Sequence, residues 1–313
     1  MKKENDAEFA FLFPGQGSQS LGMMGELNEE FPLVEERFQD ASEVLKFDLW
    51  KLVSLGPIEK LNLTENTQPA LLAASIATWD VWKKCGGQSP TMMCGHSFGE
   101  YSALVCAGSM DYRDAVKLVA TRGRLMQRSV PNGAGSMAAV LGLPKELLEE
   151  ICKKVESIGI CDCANYNAPG QIVISGEKDA VMKACDEATI AGAKRALTIP
   201  VSVPAHSRLM IPAAKHFHKY LASIEIASPK IPILHNVDVS LHSDPMEIRA
   251  ALEEQLYSPV KWDDTIEELS SLGYKTVYEC GPGKVLTGLV KRSNSEIACI
   301  PLNGRAAIET EAQ

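Results

Sequence analysis

The segment Gly95-His96-Ser97-Phe98-Gly99 has the G-x-S-x-G spacing of a tight strand-to-helix turn that holds out a serine as nucleophile. Thr91–Gly95 reads as a short buried strand and Phe98–Ala107 as the helix after it, which is the context such a turn requires. There the backbone N–H of Phe98 would face an oxyanion forming on a substrate carbonyl, and the helix N-terminus would add partial positive charge. A pentapeptide this short also arises by chance; its flanking elements favour the functional reading.

Such a serine needs a base. Of the six histidines, His216 and His218 lie two apart on an expected helix and point to opposite sides, as solvated residues do. His235 at a strand end and His242 in a loop are compatible with structural places. His206, in Val203-Pro204-Ala205-His206-Ser207, follows an expected strand, where open α/β sheets carry catalytic groups, and is the candidate base. No acid is placed to complete a triad. Asp162, Asp179 and Asp186 fall within an expected small domain, and Asp111 reads as a helix N-cap. A backbone carbonyl could orient the imidazole instead, giving a Ser–His dyad.

On a helical wheel of Asp111–Arg128, Ala115, Leu118, Val119, Gly123 and Met126 share one face, with Arg113, Lys117, Arg124 and Arg128 opposite. Arg122 falls in the middle of the apolar face. A buried guanidinium is costly unless an anion pairs with it. That anion is either an internal Asp or Glu, or a carboxylate on a substrate held bidentately.

Other motifs exclude chemistry. Gly15-Gln16-Gly17-Ser18-Gln19-Ser20 lacks the third glycine of a dinucleotide fingerprint, and Gly281-Pro282-Gly283-Lys284 lacks the spacing of a P-loop. Gln16 nevertheless sits just past the first buried strand, where a second oxyanion donor is wanted. The balance of 31 Lys+Arg against 40 Asp+Glu opposes non-specific nucleic-acid binding. No run approaches the length of a membrane span. The start, Met1 to Asp6 followed by a short apolar run, does not read as a signal peptide. Nine scattered cysteines read as reduced thiols of a cytoplasmic protein, with no metal spacing.

The elements that must position these residues alternate. Ala7–Phe13 reads as a strand buried on both faces; helices follow at about 31–46 and 68–84. After Val130-Pro131-Asn132-Gly133, strand, helix, strand, strand, helix, strand succeed one another up to Ile199, the ferredoxin-like order. From Pro200 helices (208–223, 245–256, 263–272) and strands (231–235, 276–280, 297–301) alternate again. The expected fold is therefore α/β: an α/β-hydrolase-like parallel-sheet domain, residues 1–131 and 200–313, interrupted by a small ferredoxin-like domain, residues 132–199. Only the tail after Asn303 reads as loose.

Taken together, the chain resembles the malonyl-CoA:acyl carrier protein transacylases, which load malonyl groups for fatty-acid synthesis. The matching stretches are Phe13–Gln19, Gly95–Ala103, Arg122–Gln127 and Asn165–Gln171, then Val203-Pro204-Ala205-His206, Gln255–Val260 and Gly281–Gly283. They follow the family's order from about Phe9 to Leu302.

The resemblance implies Ser97 as nucleophile, His206 as base and then acid, and Gln16 with the Phe98 N–H as oxyanion donors. It implies that the backbone carbonyl of Gln255 orients the histidine and that Arg122 grips the malonyl carboxylate. Asn165 and Asn167 would face the cleft from the small domain. The implied partners are malonyl-CoA and holo acyl carrier protein, met by a monomer, with no cofactor, metal, nucleic acid or membrane. An acidic carrier needs a local basic patch, for which Arg124, Arg128, Lys194, Arg195, Lys291 and Arg292 are candidates. Phe98 replaces a leucine common in the family and could narrow the pocket, and Ala205 stands where serine is common. A thioesterase or carboxylesterase, and a silent carrier-binding module, are the competing readings.

Overall fold

The computed structural model describes residues 8–200 and 203–313; Ala7, the expected start of the first strand, and the residues before it lie outside these. Among the described residues, nine strands form two sheets. The first contains β1 (Phe9–Phe13), β2 (Met92–Gly95), β7 (Ile233–Leu234), β8 (Thr276–Glu279) and β9 (Ala298–Pro301), and the second β3 (Gly135–Leu141), β4 (Cys161–Ala168), β5 (Gln171–Glu177) and β6 (Arg195–Ile199).

The larger sheet runs β7-β2-β1-β8-β9, and every pairing in it is parallel. Its central strand, Phe-Ala-Phe-Leu-Phe, is apolar on both faces because helices cover both. Phe11 and Phe13 join one core with Met93, Phe38 and Trp82. Ala10 and Leu12, on the opposite face, join a second with Met92, Trp262 and Val277. Phe11 alone meets Trp79, Trp82 and Tyr278 edge-on at ring-centroid distances of 5.6, 5.3 and 5.8 Å. The parallel order puts the carboxyl ends of β1, β2 and β7 side by side, where Gln16, Ser97 and Asn236 follow them.

The smaller sheet, in order β4-β5-β3-β6, is antiparallel throughout and carries helices Lys145–Lys154 and Lys178–Ile190, the ferredoxin-like arrangement. It is tied to the rest of the chain where the Tyr166 N–H donates to Val260 O and the Val260 N–H to Ala164 O, both at 2.9 Å. Register shifts in β4 between Cys163 and Asn165 and between Tyr166 and Ala168 re-aim the strand at that junction.

Several features differ from the sequence expectations, among them the short helices Gly25–Glu30, Leu49–Leu55 and Ile58–Leu61. Helix Thr64–Lys84 starts a turn earlier than expected, carrying Pro69 inside it. Helix Val285–Ser293 was not anticipated; the buried Glu279 carboxylate accepts from Leu286 N, Thr287 N and Thr287 Oγ1 and so fixes its first turn. The tail is not loose: helix Arg305–Glu311 buries Ile308, and Tyr278 donates to Glu311 at 2.9 Å. All nine cysteines are free thiols, none exposed. Among the described residues no helix is long and apolar enough to cross a membrane, and no cluster could hold a metal.

Candidate active site

The turn after β2 is the tight one its glycines foretell. A Cβ on Gly95 would lie 2.0 Å from Glu100 N, and one on Gly99 would lie 2.3 Å from Phe13 O. Only glycine permits this approach, and it leaves Ser97 at φ 54, in the left-handed region that a serine adopts at a cost. Ser97 Oγ donates to His206 Nε2 at 2.7 Å. His206 Nδ1–H donates to the backbone carbonyl of Gln255, also at 2.7 Å. That second bond fixes the tautomer: with the proton on Nδ1, Nε2 is bare and can accept.

His206 is itself held at φ 59, its N–H donating to Leu256 O at 3.0 Å. It is 4% exposed, and burial, reinforced by the positive charge of Arg122, lowers its pKa to about 3. The imidazole is therefore neutral across the ordinary pH range, the state a base must start in.

Both backbone polar groups of Ser97 are engaged. Its N–H donates to Asn236 Oδ1 at 2.7 Å, and its carbonyl accepts from Gln255 Nε2 at 3.0 Å and from Glu100 N at 3.1 Å. The Ser97 N–H is thus unavailable to an oxyanion. Among the described residues, the backbone N–H groups of Phe98 and Gln16 have no acceptor in the chain. Gln16 Oε1 accepts from Gln68 Nε2 at 3.2 Å.

A cavity of about 210 Å³ opens on this pair, with Gly15, Gln16, His96, Ser97 and His206 at its base. The small sheet supplies Asn165, Asn167 and Gln171, and Val285, Leu286 and Leu289 form an apolar wall. Asn167 Oδ1 meets His96 Nε2 at 2.9 Å. Phe98 is fully buried in the core and is no part of the cavity wall, so the expected narrowing by its ring does not occur; Ala205 does line the cavity.

Arg122 is fully buried, as the helical wheel required. Among the described residues, no carboxylate pairs with it, so the plainer explanation does not hold. Nη2 donates to Gln255 Oε1 at 2.9 Å, Nη1 meets Met126 Sδ at 3.4 Å, and Nε has no acceptor among the described residues. Tyr101 lies under the guanidinium, 5.8 Å from ring centroid to Cζ. Burial lowers the pKa of this group, partly offset by Tyr101 and Glu100. The guanidinium stands one residue behind the dyad, reaching both Ser97 and His206 through Gln255.

Residues 10–306 match the acyl transferase domain family. The chain is 49% identical over 301 residues to the malonyl CoA-acyl carrier protein transacylase of Salmonella typhimurium, covering 96% of this chain and 97% of that one. It belongs to the malonyl CoA-acyl carrier protein transacylase family. Among transacylase structures, that from Coxiella burnetii superposes with a TM-score of 0.97 at 47% identity, covering 98% and 97% of the two chains. A malonyl-transacylase solved with its type II PKS acyl-carrier protein superposes at 0.96 with 50% identity, covering 98% and 99%.

Of the residues singled out in the sequence, the structure brings Ser97, His206, Gln16, Gln255, Asn165 and Asn167 to one place, with Arg122 directly behind. His216 and His218 are exposed on their helix. Sequence reasoning missed Asn236 and Glu100, both buried and both tied to the serine turn. The one available signal was a glutamate inside the apolar helix after Ser97, which must find a partner.

Proposed function

We propose that this transacylase moves a malonyl group from CoA to the phosphopantetheine thiol of acyl carrier protein, through a malonyl ester on Ser97, for fatty-acid biosynthesis in the cytoplasm. The observation that carries this reading is Arg122: a buried cation without a carboxylate partner among the described residues, one hydrogen-bonded residue from a Ser–His pair. A malonyl carboxylate supplies the missing anion. A plain lipid acyl chain would leave the charge unpaired.

His206 Nε2 takes the Ser97 proton as Oγ attacks the thioester carbonyl. The resulting oxyanion rests on the Phe98 N–H and Gln16. Collapse expels the CoA thiolate, which takes the proton from His206, and leaves malonyl-serine. The carrier thiol then gives its proton to His206 and attacks the ester, and the serine oxygen recovers that proton on leaving. The Gln255 carbonyl steadies the imidazolium in both halves, the part an aspartate plays in a triad. Asn165, Asn167 and Gln171 offer polar contacts to the acyl donor from above.

Hydrolysis is the competing outcome, because water could attack the same ester. The test is to load the enzyme with malonyl-CoA, remove free CoA, and add holo carrier protein. Malonyl-carrier should form many-fold faster than free malonate. Malonate released at the same rate with and without carrier would make the protein a thioesterase.

The carrier should dock on cations whose elements form the cavity wall. Lys291 and Arg292 end the helix that supplies Val285, Leu286 and Leu289; Lys194 and Arg195 lie at the start of β6, which supplies Ile199. Arg124 is already paired with Glu65 at 3.5 Å and should matter less. Lys291→Glu with Arg292→Glu is expected to slow discharge onto carrier about tenfold at low salt, as rim charges govern encounter. Loading from malonyl-CoA should be unchanged; equal slowing of both steps would move the docking site elsewhere.

A further inference from the structure

Asn236 follows β7, far from Ser97 in the chain, yet it is fully buried against the serine turn. Its side chain spans that turn: Oδ1 accepts from Ser97 N at 2.7 Å, and Nδ2 donates to Gly95 O at 2.7 Å. Its own N–H donates to Glu100 Oε1 at 2.5 Å, and the other Glu100 oxygen faces His235 Nδ1 at 3.3 Å. Glu100 belongs to the helix that Ser97 introduces. The network is therefore a closed loop, from the serine turn to Asn236, to Glu100, and back along one helical turn to Ser97.

We propose that Asn236 is the positioning residue that holds Ser97 in its left-handed conformation, with Glu100 fixing Asn236. An amide is the side-chain group that both accepts and donates from adjacent atoms, and the turn presents one N–H and one C=O two residues apart. Holding the Ser97 N–H also directs oxyanion stabilisation to the Phe98 N–H and Gln16. Without the clamp Ser97 can relax toward φ < 0, which carries Oγ away from His206 Nε2. A displacement of about 1 Å at a reacting atom costs on the order of 100-fold in rate.

The inference rests on Ser97 being the nucleophile, and the test separates the two. Wild type, Asn236→Ala, Glu100→Gln and the double variant are mixed with malonyl-CoA, and Ser97 acylation is followed by quenched-flow intact mass. Reactive sites are counted by the final adduct. Asn236→Ala should label to full amplitude but about 100-fold more slowly, with less than threefold change in KM for malonyl-CoA. Glu100→Gln should be slowed less, and the double variant no more than Asn236→Ala alone, because Glu100 acts through Asn236. Should Asn236→Ala not fold, Asn236→Ser, too short to span both groups, should show the same slow labelling. A rate per reactive site equal to wild type in either Asn236 variant, or additive losses in the double variant, overturns the proposal. Wild type that never labels at Ser97 instead defeats the catalytic reading itself.

Discussion

Replacing His206 by alanine should slow malonyl-serine formation about 1,000-fold or more, the upper part of the range for a positioned general base. Fold and binding should survive, so the loss should appear in kcat and leave the KM for malonyl-CoA little changed. The pH profile carries the same information. Burial and the charge of Arg122 hold the imidazole pKa far below 6.5, at about 3. Loading should stay nearly flat from pH 8 down to about pH 5, with its acid limb below the ordinary histidine value. Between the folded and unfolded pKa values the unfolded chain binds a proton that the native state does not. His206 therefore costs stability as pH falls from about 6.5 toward 3. An acid limb at pH 6.5 in loading kinetics would mean that His206 is more exposed than it stands here.

The second large effect is one of selectivity. Arg122→Ala should reduce kcat/KM for malonyl-CoA about 100-fold or more, since charged hydrogen bonds contribute about 1.5–3 kcal/mol each and the clamp makes two. Acetyl-CoA has no carboxylate, and its transfer should be spared or raised. Removing the arginine also removes a charge that depresses His206, so the acid limb for acetyl transfer should shift upward. Equal losses with malonyl and acetyl donors would show that Arg122 supports the fold around Gln255 and does not select the acyl group.

Much of this was legible because the chemistry sits where backbone constraints are severe. Gly95 and Gly99 announce a turn that admits no Cβ, and β1 announces a strand covered on both faces. Arg122 was legible as a charge out of phase with its helix. The sequence left open whether an internal carboxylate answered it, because that depends on which distant residues pack there; Gln255, Met126 and Tyr101 do. Asn236 was hidden for the same reason: Ser97 is brought to it only by the pairing of β2 with β7. The missed helices have local causes. Helices Gly25–Glu30 and Leu49–Leu55 are too short for a clear 3.6-residue period, and Pro69 obscured the first turn of Thr64–Lys84. Helix Val285–Ser293 takes its start from Glu279, a partner outside the helix.

Intact-protein mass spectrometry can follow a malonyl ester on Ser97 and its passage to a carrier thiol in one experiment. Wild type and Ser97→Ala are each mixed with malonyl-CoA, and holo acyl carrier protein is then added. A single malonyl adduct is expected on the wild type, none on Ser97→Ala, and its transfer in full to the carrier. An adduct that persists in Ser97→Ala, or malonyl-carrier formed by that variant at the wild-type rate, would contradict transfer through a Ser97 ester.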